Sequence, residues 1–332
     1  MLNKKISIVT GGAGFIGSHM VDFLIKNRWK VIVIDNFSGG NIKNLNQHKN
    51  NKNLKIIKKD ITNIKFSDLK VSKVDYIYHF AGKGDIVPSI VYPKEYFLTN
   101  LMGTINILEI AKKLKVKKFL YAASSSCYGI PKNYPTNENS PISPQYPYAL
   151  TKSLGEQIIF HFGKLYKIPV ISLRLFNVFG PRARTSGGYG AVFGVFLAQK
   201  LAKKPFTVVG DGKQTRDFTF VDDVINAFIE MLDKSIKNEI FNVGSGQTYS
   251  VNTLIKLLGK NKVVNIPKRP GEPDCTFADI SKILKKTKWR PKISFEDGVK
   301  KLMESINDFK DAPLWDSESI KNETKDWFKY LS

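Results

Sequence analysis

The stretch Thr10-Gly11-Gly12-Ala13-Gly14-Phe15-Ile16-Gly17-Ser18 decides the fold, because its glycines stand where an apolar strand pattern passes into a helical one. Gly11 permits a tight turn, Gly14 lets the backbone approach a pyrophosphate, and Gly17 allows a helix and a strand to pack closely. The start of the helix then presents free N–H groups and a positive dipole end to phosphates. This stretch therefore predicts a dinucleotide-binding turn.

Asp35 ends the second predicted strand, 18 residues after Gly17. An acid at this place accepts hydrogen bonds from the ribose hydroxyls of adenosine, and its charge repels a 2′-phosphate. The position therefore predicts NAD rather than NADP as the cofactor. The competing interpretation is a solvated loop acid.

Strand and helix patterns continue to alternate along the chain, over residues 54–57, 75–82, 106–114 and 118–124. Alternation of this kind predicts an α/β fold, a Rossmann-type doubly wound parallel sheet with a smaller C-terminal α/β lobe. Ligands of such sheets lie beyond the carboxyl ends of the strands. The residues that end each strand are therefore the candidates for chemistry.

Composition excludes several classes of protein. Two cysteines, Cys127 and Cys275, do not make a disulfide framework, and no apolar run is long enough to span a bilayer. The formal charge is +23, yet only seven of the 52 basic residues are arginine, which argues against a specific nucleic-acid reader. We expect a cytoplasmic enzyme whose basic surface attracts an anionic substrate, without a membrane partner and without a metal site.

A reactive cluster follows the strand over residues 118–124. Ser124 ends that strand, and Tyr148 and Lys152 stand four residues apart, on one face of a predicted helix. A nearby ammonium favours the phenolate and lowers the pKa of the tyrosine. Tyr148 is then expected to take a hydroxyl proton while hydride leaves the same carbon, with Ser124 holding the reacting oxygen.

These motifs together resemble the extended short-chain dehydrogenases/reductases, in particular the nucleotide-sugar epimerases and dehydratases. Further matching stretches are Arg174–Pro181, Arg216-Asp217-Phe218 and Arg269-Pro270-Gly271-Glu272. The resemblance implies an NAD-binding domain over 1–176, with segments at about 215–247 crossing back. It also implies a nucleotide-sugar domain over 177–332 and a homodimer formed through helices near 97–113 and 149–165.

The resemblance also implies residue roles. The cofactor would contact Tyr148, Lys152 and a set from the strand ends, namely Gly11, Gly14, Phe15, Ile16, Gly17, Asp35, Asn36, Asp60, Ile61, Ala81, Gly82 and Asn100. The diphosphate would contact Asn177, Arg216 and Arg269, and Glu272 would hold the uridine ribose. Ser126 would also contact the sugar, while the small residues Gly84 and Thr276 would leave room for an N-acetyl group.

The choice of reaction depends on the residues after Ser124. Dehydratases and decarboxylases of this group place an acid there, commonly two positions on, whereas this chain has Ser125 and Ser126. A serine hydroxyl is a poor general acid, so the sequence favours a nucleotide-sugar 4-epimerase that works through a transient 4-keto sugar. The alternatives are a lyase that uses Asp85 or Glu138 as its acid, a 4-dehydrogenase, and a protein that binds NAD or nucleic acid without catalysis.

The tail over residues 311–332 extends beyond the usual core of this group. Ile320, Trp327 and Leu331 fall on one stripe at helical spacing. The pattern predicts one C-terminal helix docked on the protein, with a partner-binding helix as the alternative.

Overall fold

The structure is a computed structural model that describes residues 4–183, 192–259 and 261–331. Its strands, in chain order, are β1 (Ile6–Thr10), β2 (Lys30–Asp35), β3 (Leu54–Lys58), β4 (Tyr76–His79), β5 (Lys118–Ser124), β6 (Val170–Leu175), β7 (Val178–Phe179), β8 (Phe206–Val209), β9 (Thr215–Arg216), β10 (Thr219–Phe220), β11 (Glu239–Val243), β12 (Tyr249–Ser250) and β13 (Val263–Ile266). Residues 184–191, which include Arg184, lie in the middle of the chain and outside the described residues.

Helices connect these strands. The α-helices are α1 (Phe15–Lys26), α2 (Phe66–Leu69), α3 (Ile86–Val91), α4 (Pro93–Phe97), α5 (Gly103–Leu114), α6 (Pro147–Tyr166), α7 (Val192–Leu201), α8 (Val221–Glu230), α9 (Val251–Leu258), α10 (Ser281–Lys286), α11 (Phe295–Glu304), α12 (Ser317–Glu323) and α13 (Lys325–Leu331). A π-helical turn over Leu98–Met102 joins α4 to α5, and short 3₁₀ turns lie at Ile42–His48, Ser125–Tyr128 and Ile306–Phe309.

Seven strands form one parallel sheet in the order β11-β6-β5-β4-β1-β2-β3. The strand order reverses between β1 and β4, which creates a crevice at the carboxyl ends of these two strands. The dinucleotide turn follows β1 directly, and Ser124 ends β5 at the same edge. The predicted Rossmann-type fold is therefore confirmed, and it brings the candidate residues to one side of the sheet.

Both faces of the sheet are covered, which explains why its strands are apolar almost throughout. On one face α1 and α8 pack together, and buried residues such as Met20 and Phe228 belong to one core cluster. On the other face α5 and α6 contribute Ile107 and Ile159 to a second cluster. The two cores hold the sheet rigid beneath the ligand edge.

The second lobe contains three small two-stranded sheets, β7 with β10, β8 with β13 and β9 with β12. Its core is built mainly from α7, α9 and α11, with the tail packed against them. The chain crosses between the lobes several times, since β11 joins the large sheet beside β6. Ile283 and Trp289, which the sequence-based division assigns to the second domain, pack into the core of the first.

The tail differs from the single helix that the sequence predicts. It forms two short helices, α12 and α13, that meet at Thr324. The Thr324 Oγ1 hydroxyl donates to the Ile320 carbonyl at 2.7 Å, which competes with continuation of the helix. Docking is as expected, because Ile320 and Trp327 are both buried.

Neither a membrane-spanning helix nor a metal site is found in the part of the chain that the structure describes. None of its helices combines the length and the apolar composition needed to cross a bilayer. None of its groups of three or more histidine, cysteine or acidic residues is arranged to hold a metal ion.

Candidate active site

The glycine turn between β1 and α1 has the geometry that a dinucleotide requires. Gly11 has φ +66°, and a Cβ added there would lie 2.7 Å from the Ala81 nitrogen. A Cβ on Gly17 would lie 2.1 Å from the Gly11 carbonyl oxygen. Gly14 is the N-cap of α1, so Phe15 and Ile16 form its first turn with their N–H groups at the ligand edge. The cradle is open only because these positions have no side chain.

Asp35 lies at the end of β2 beside this turn. Its buried carboxylate accepts the Ala13 N–H at 2.9 Å and the Phe37 N–H at 2.8 Å. Burial raises the pKa of this carboxyl group, and the two backbone N–H groups oppose that rise. Asp35 is therefore not a solvated loop acid. It is fixed in the cradle, and its carboxylate oxygens keep lone pairs for ribose hydroxyls.

Asn36 and Asp60 form the next layer around the predicted adenosine side. Asn36 Nδ2 donates to Asp60 at 2.6 Å, and Asp60 also accepts the Thr62 N–H at 2.8 Å. These bonds, together with the Thr62 hydroxyl, lower the pKa of Asp60 against a desolvation that raises it. Ile61, by contrast, is buried in the core against Gly103, so only its backbone is available to a ligand.

The loop after β4 carries Ala81 and Gly82, and Asn100 fixes its shape. The Asn100 side chain accepts the Lys83 N–H at 2.8 Å and donates to the Lys83 carbonyl at 3.0 Å and the Thr151 hydroxyl at 2.9 Å. Both amide hydrogens are thereby used within the protein. Asn100 shapes the cofactor edge from behind the loop.

Ser124 and Tyr148 are brought together, as the sequence predicts. Ser124 ends β5, Pro147 begins α6, and a hydrogen bond joins the side chains of Ser124 and Tyr148. Burial raises the pKa of the Tyr148 phenol, the bond from Ser124 lowers it, and the charge of Asp85 raises it further. The structure thus gives the direction opposite to the lowered pKa expected from the Tyr148/Lys152 spacing.

Burial of the phenol is the largest cause of the raised pKa, and the position of Lys152 shows why the lysine does not offset it. Lys152 is buried one turn after Tyr148, and its Nζ lies 4.5 Å from the centroid of the Tyr121 ring. Burial lowers the pKa of Lys152 to about 8, while the charge of Glu156 opposes that change. Helical spacing places the two residues on one face, but the lysine head group lies over an aromatic ring of β5. The spacing alone therefore did not determine the phenol pKa.

The predicted diphosphate residues form an ion-paired group in the second lobe. Arg216 Nη2 donates to Glu272 Oε1 at 2.9 Å, and Arg269 Nη1 lies 3.6 Å from Glu272 Oε2. All three side chains are largely buried, and the two guanidinium groups outnumber the one carboxylate. Such a group attracts phosphate oxygens because arginine offers paired donors to them.

Glu272 also has an unused acceptor. Its Oε2 is buried and takes no hydrogen bond from any residue that the structure describes. A buried carboxylate oxygen without a donor is costly, and a ribose hydroxyl would supply one. Beside it lies a cavity of about 360 Å³, lined by Val209, Gly210, Asp211, Lys213, Gln214, Arg216, Lys268, Glu272, Pro273 and Asp274.

Thr276, Gly84 and Ser126 are the residues that the sequence predicts beside the sugar. Thr276 Oγ1 donates to Asn177 Oδ1 at 2.7 Å, so these two substrate candidates lie side by side. A Cβ added to Gly84 would meet nothing within 4 Å. Ser126 lies close to Ser124, and its N–H donates to Ser124 Oγ at 3.2 Å.

Three other polar residues, His79, Cys127 and Glu138, are buried or hydrogen-bonded within the protein. His79 is fully buried between the Thr10 and Thr104 hydroxyls, at 2.7 and 2.9 Å, and burial lowers its pKa to about 3. Burial raises the pKa of the Cys127 thiol to about 12, which leaves it unreactive. Glu138 accepts the Asn242 N–H at 2.8 Å.

Two residues of this region were not selected from the sequence. The Tyr146 ring stacks on Tyr148 with centroids 6.3 Å apart, and its hydroxyl bonds with the Ser126 side chain. Asp217 is fully buried and accepts the Ser245 and Ala278 N–H groups, at 2.6 and 3.1 Å. It ties the loops behind Arg216 together. The adjacent Tyr-Pro-Tyr and Arg-Asp-Phe sequences were the available signals.

Comparison with known proteins decides the family. The model of the family described as GDP-mannose 4,6 dehydratase matches residues 8–302. The chain belongs to the extended short-chain dehydrogenases/reductases that act as nucleotide-sugar epimerases and dehydratases. The predicted family is confirmed, and the protein is an enzyme of this family. Strand β5, helix α6, Arg216 and Arg269 all lie within the matched range.

Individual relatives narrow the reaction only in part. The chain is 37% identical to a putative UDP-glucose 4-epimerase of Methanocaldococcus jannaschii, over 89% of this chain and 96% of the relative. It is 32% identical to UDP-glucuronic acid decarboxylase 4 of Arabidopsis thaliana, over 97% of this chain and 73% of the relative. Similarity therefore extends to epimerases and to decarboxylases.

A solved structure with the same fold agrees with the predicted cofactor. The UDP-glucuronic acid 4-epimerase of Bacillus cereus, in complex with UDP-glucuronic acid and NAD, matches with a TM-score of 0.84 and 34% identity. The match covers 91% of this chain and 99% of that one. The glycine turn and Asp35 thus fit the cofactor that this relative binds.

Proposed function

We propose that this protein is an NAD-dependent 4-epimerase of a UDP-hexose or a UDP-N-acetylhexosamine. The observation that carries the proposal is the hydrogen-bonded pair of Ser124 and Tyr148 at the same sheet edge as the dinucleotide turn. The two residues after Ser124 are serines, so this stretch lacks the acid that a dehydratase would use to release water.

Each residue has a part in this reaction. Tyr148 takes the proton of the sugar 4-hydroxyl and returns it at the end of the cycle, while Ser124 hydrogen-bonds the reacting oxygen. When bound, NAD supplies the acceptor and later the donor of the C4 hydride. The sugar turns over as a 4-ketone between these two steps, so the protein releases an isomer of equal mass.

The raised pKa of Tyr148 requires help from a positive charge. Lys152 is the buried cation of this helix, one turn after the phenol. The positive charge that oxidised NAD would bring when bound, added to that of the Lys152 ammonium, would favour the phenolate. We expect the basic form of Tyr148 to be populated mainly in the complex with oxidised cofactor.

The substrate is held by its nucleotide. Arg216 and Arg269 would contact the diphosphate together with Asn177, Glu272 would accept a ribose hydroxyl, and the adjacent cavity would hold the base. This arrangement leaves the sugar beside Tyr148. Open space at Gly84 and the short Thr276 side chain support acceptance of an N-acetyl group. Thr276→Tyr should then reduce turnover of N-acetylated sugars before that of plain hexoses.

One observation favours a second candidate, a lyase of the same family. Asp85 is the N-cap of α3, and its charge is among the causes of the raised pKa of Tyr148. A carboxyl group near the phenol is a candidate acid for loss of water. Glu138 is a weaker candidate, because it is engaged with the Asn242 N–H.

The deciding experiment is incubation of the protein with a panel of UDP-, GDP- and dTDP-sugars, read by NMR and mass spectrometry. An epimerase yields a product of unchanged mass with an inverted C4. Loss of water or of carbon dioxide would instead identify a lyase, and net absorbance of reduced nicotinamide would identify a dehydrogenase.

The protein is also proposed to form a homodimer through the helical surface around α5 and α6. Apolar side chains are exposed there, namely those of Leu98, Met102, Leu150 and Leu165. An exposed apolar surface of this kind is typical of an interface. Light scattering of the purified protein should give twice the mass of the chain, and a monomer at micromolar concentration would contradict this proposal.

A further inference from the structure

The tail of the chain contacts the candidate substrate site although it lies outside the family match, which ends at residue 302. Helix α13 packs against α3, the helix that begins at the cofactor loop, and the tail's Trp327 is 2% exposed. The position before α12 is also held, because Gln199 Nε2 donates to the Trp315 carbonyl at 2.7 Å. The tail is thus packed against the second lobe and held there at both ends.

Trp327 makes three contacts that converge on the substrate residues. Its indole Nε1 donates to the Pro270 carbonyl at 2.7 Å. The guanidinium carbon of Arg269 lies 5.4 Å from the centroid of the indole ring. The centroid of the Tyr146 ring, which stacks on Tyr148, lies 6.3 Å from the centroid of the indole ring. One side chain therefore joins the phosphate loop, residues 267–274 with Arg269, to Tyr146 at the start of α6.

The phosphate loop needs such a support. Residues 267–274 form neither helix nor strand, and Gly271 has φ +69° within a turn. The Pro270 carbonyl receives its hydrogen bond from a residue 57 positions later in the chain. An indole face also favours one orientation of a guanidinium group, because the ring quadrupole attracts the cation.

We propose that Trp327 is a positioning residue of the substrate site, which holds Arg269 and the Pro270 backbone in the arrangement that receives a nucleoside diphosphate. The proposal rests on the proposed function only for the class of ligand. Trp327 acts through Arg269, so its loss should weaken nucleotide binding more than it slows the chemical step at Tyr148.

The test compares Trp327→Phe and Trp327→Ala with the parent protein by titration calorimetry, with UDP, GDP and dTDP as probes. The phenylalanine variant keeps a ring under Arg269 and loses the bond to Pro270, so we expect the Kd of the best-bound probe to rise about five-fold. The alanine variant loses both the ring and the bond to Pro270, and we expect its Kd for the same probe to rise about twenty-fold. The affinity for NAD should stay unchanged in both variants.

Two matched controls separate positioning from general stability. Trp289→Phe also removes one indole bond to a backbone carbonyl, that of Asp223, but in the core of the first lobe. Ile320→Val removes one methylene group from the same tail, at a buried position. Both should leave the nucleotide Kd within about two-fold of the parent while lowering the free energy of unfolding.

The outcomes are distinct from those of the epimerase assay, because a nucleoside diphosphate has no sugar to isomerise. If the parent epimerises a sugar, the Trp327 variants should raise KM and keep kcat within about three-fold. If the parent turns over no sugar but the Kd pattern holds, the proposed reaction is wrong and the role of Trp327 stands. The proposal would be overturned by an unchanged Kd in Trp327→Ala or by a loss of nucleotide affinity in Ile320→Val that equals the loss in Trp327→Ala. It would also be overturned if the parent protein bound none of the probes.

Discussion

The two sides of the candidate site are built on different principles. On the cofactor side, Gly11 and Gly17 lie in the turn and helix that follow β1 of the seven-stranded sheet, and Asp35 ends β2, where two backbone N–H groups fix its carboxylate. On the substrate side, Arg216 and Arg269 lie on short strands and loops and are held largely by ion pairs with Glu272.

This difference teaches where specificity can change without loss of the fold. The cofactor edge cannot shift without disturbing the sheet, since a Cβ at Gly11 would meet the Ala81 backbone after β4 and a Cβ at Gly17 would meet the Gly11 carbonyl. The substrate side depends on side chains and on a tail, and both vary at lower structural cost. We therefore expect changes at the cofactor edge to affect stability or chemistry strongly, and changes opposite it to affect binding.

The largest effect is expected from the phenol. Tyr148→Phe removes the proton acceptor and should lower kcat about 10³-fold while NAD remains bound. The control is Tyr146→Phe, which keeps the stacked ring and loses only the bond to Ser126. Steady-state kinetics on the best nucleotide sugar and an NAD titration measure both. Nearly full activity in Tyr148→Phe would exclude the phenol as the base.

The second effect concerns the glycine cradle. Alanine normally stabilises a helix relative to glycine by about 1 kcal/mol. At Gly17 the added Cβ would lie 2.1 Å from a backbone oxygen, so we expect Gly17→Ala to lower the free energy of unfolding by about 3 kcal/mol. Urea denaturation measures this change.

Gly84→Ala is the matched control, because its added Cβ meets open space. Its free energy of unfolding should stay within about 0.5 kcal/mol of the parent. Equal stabilities of the two variants would mean that the tight contact at Gly17 relaxes freely, and that the cofactor edge is less rigid than the comparison requires.

The same difference explains how much the sequence predicted. Gly11, Gly14, Gly17 and Asp35 are close in sequence, and their spacing encodes a local strand, turn and helix, so the sheet edge was readable. Ser124 was readable because it ends an apolar strand. The candidate substrate residues were selected through the resemblance, but the pairing of Arg216 with Glu272 was not predicted, since it joins segments 56 residues apart.

Two further features, the orientation of Lys152 and the break in the tail, could not be predicted from residue spacing. The orientation of Lys152 depends on Tyr121, which lies on a strand 31 residues earlier. The break of the tail at Thr324 depends on one hydroxyl that bonds to a carbonyl, and the periodicity of Ile320, Trp327 and Leu331 passes across it unchanged. Spacing predicts which residues share a face, whereas the partner of each side chain is decided by packing between distant segments, as at Lys152, or by a local hydrogen bond, as at Thr324.

The third effect tests the substrate side. Arg216→Lys keeps the positive charge but loses the planar pair of donors, so we expect the Kd for UDP to rise about thirty-fold. Arg182→Lys is the matched control, because Arg182 pairs with Asp22 at 2.6 Å on the first lobe. Its UDP affinity should not change. Calorimetry at a fixed salt concentration is the measurement, and equal affinities in both variants would place the diphosphate elsewhere.

The smallest effect returns to the cofactor side and concerns pH. His79 is fully buried, beneath the loop of Ala81, and its ring faces the Thr10 and Thr104 hydroxyls and the charge of Lys152. Burial lowers its pKa from 6.5 to about 3. Between these two pH values the unfolded chain binds a proton at this residue and the folded chain does not. Unfolding therefore takes up a proton, and stability falls as the pH falls below about 6.5.

The variant His79→Gln removes this titration while an amide can still bond both threonine hydroxyls. Between pH 7.5 and pH 5.5, the free energy of unfolding of the parent should fall by about 1.4 kcal/mol more than that of His79→Gln. Urea denaturation at the two pH values measures the difference, and the other titrating groups cancel because both proteins share them. Parallel pH profiles would show that the histidine is protonated in the folded chain. The region around His79 would then be accessible to solvent, and the cofactor side would not be more rigid than the substrate side.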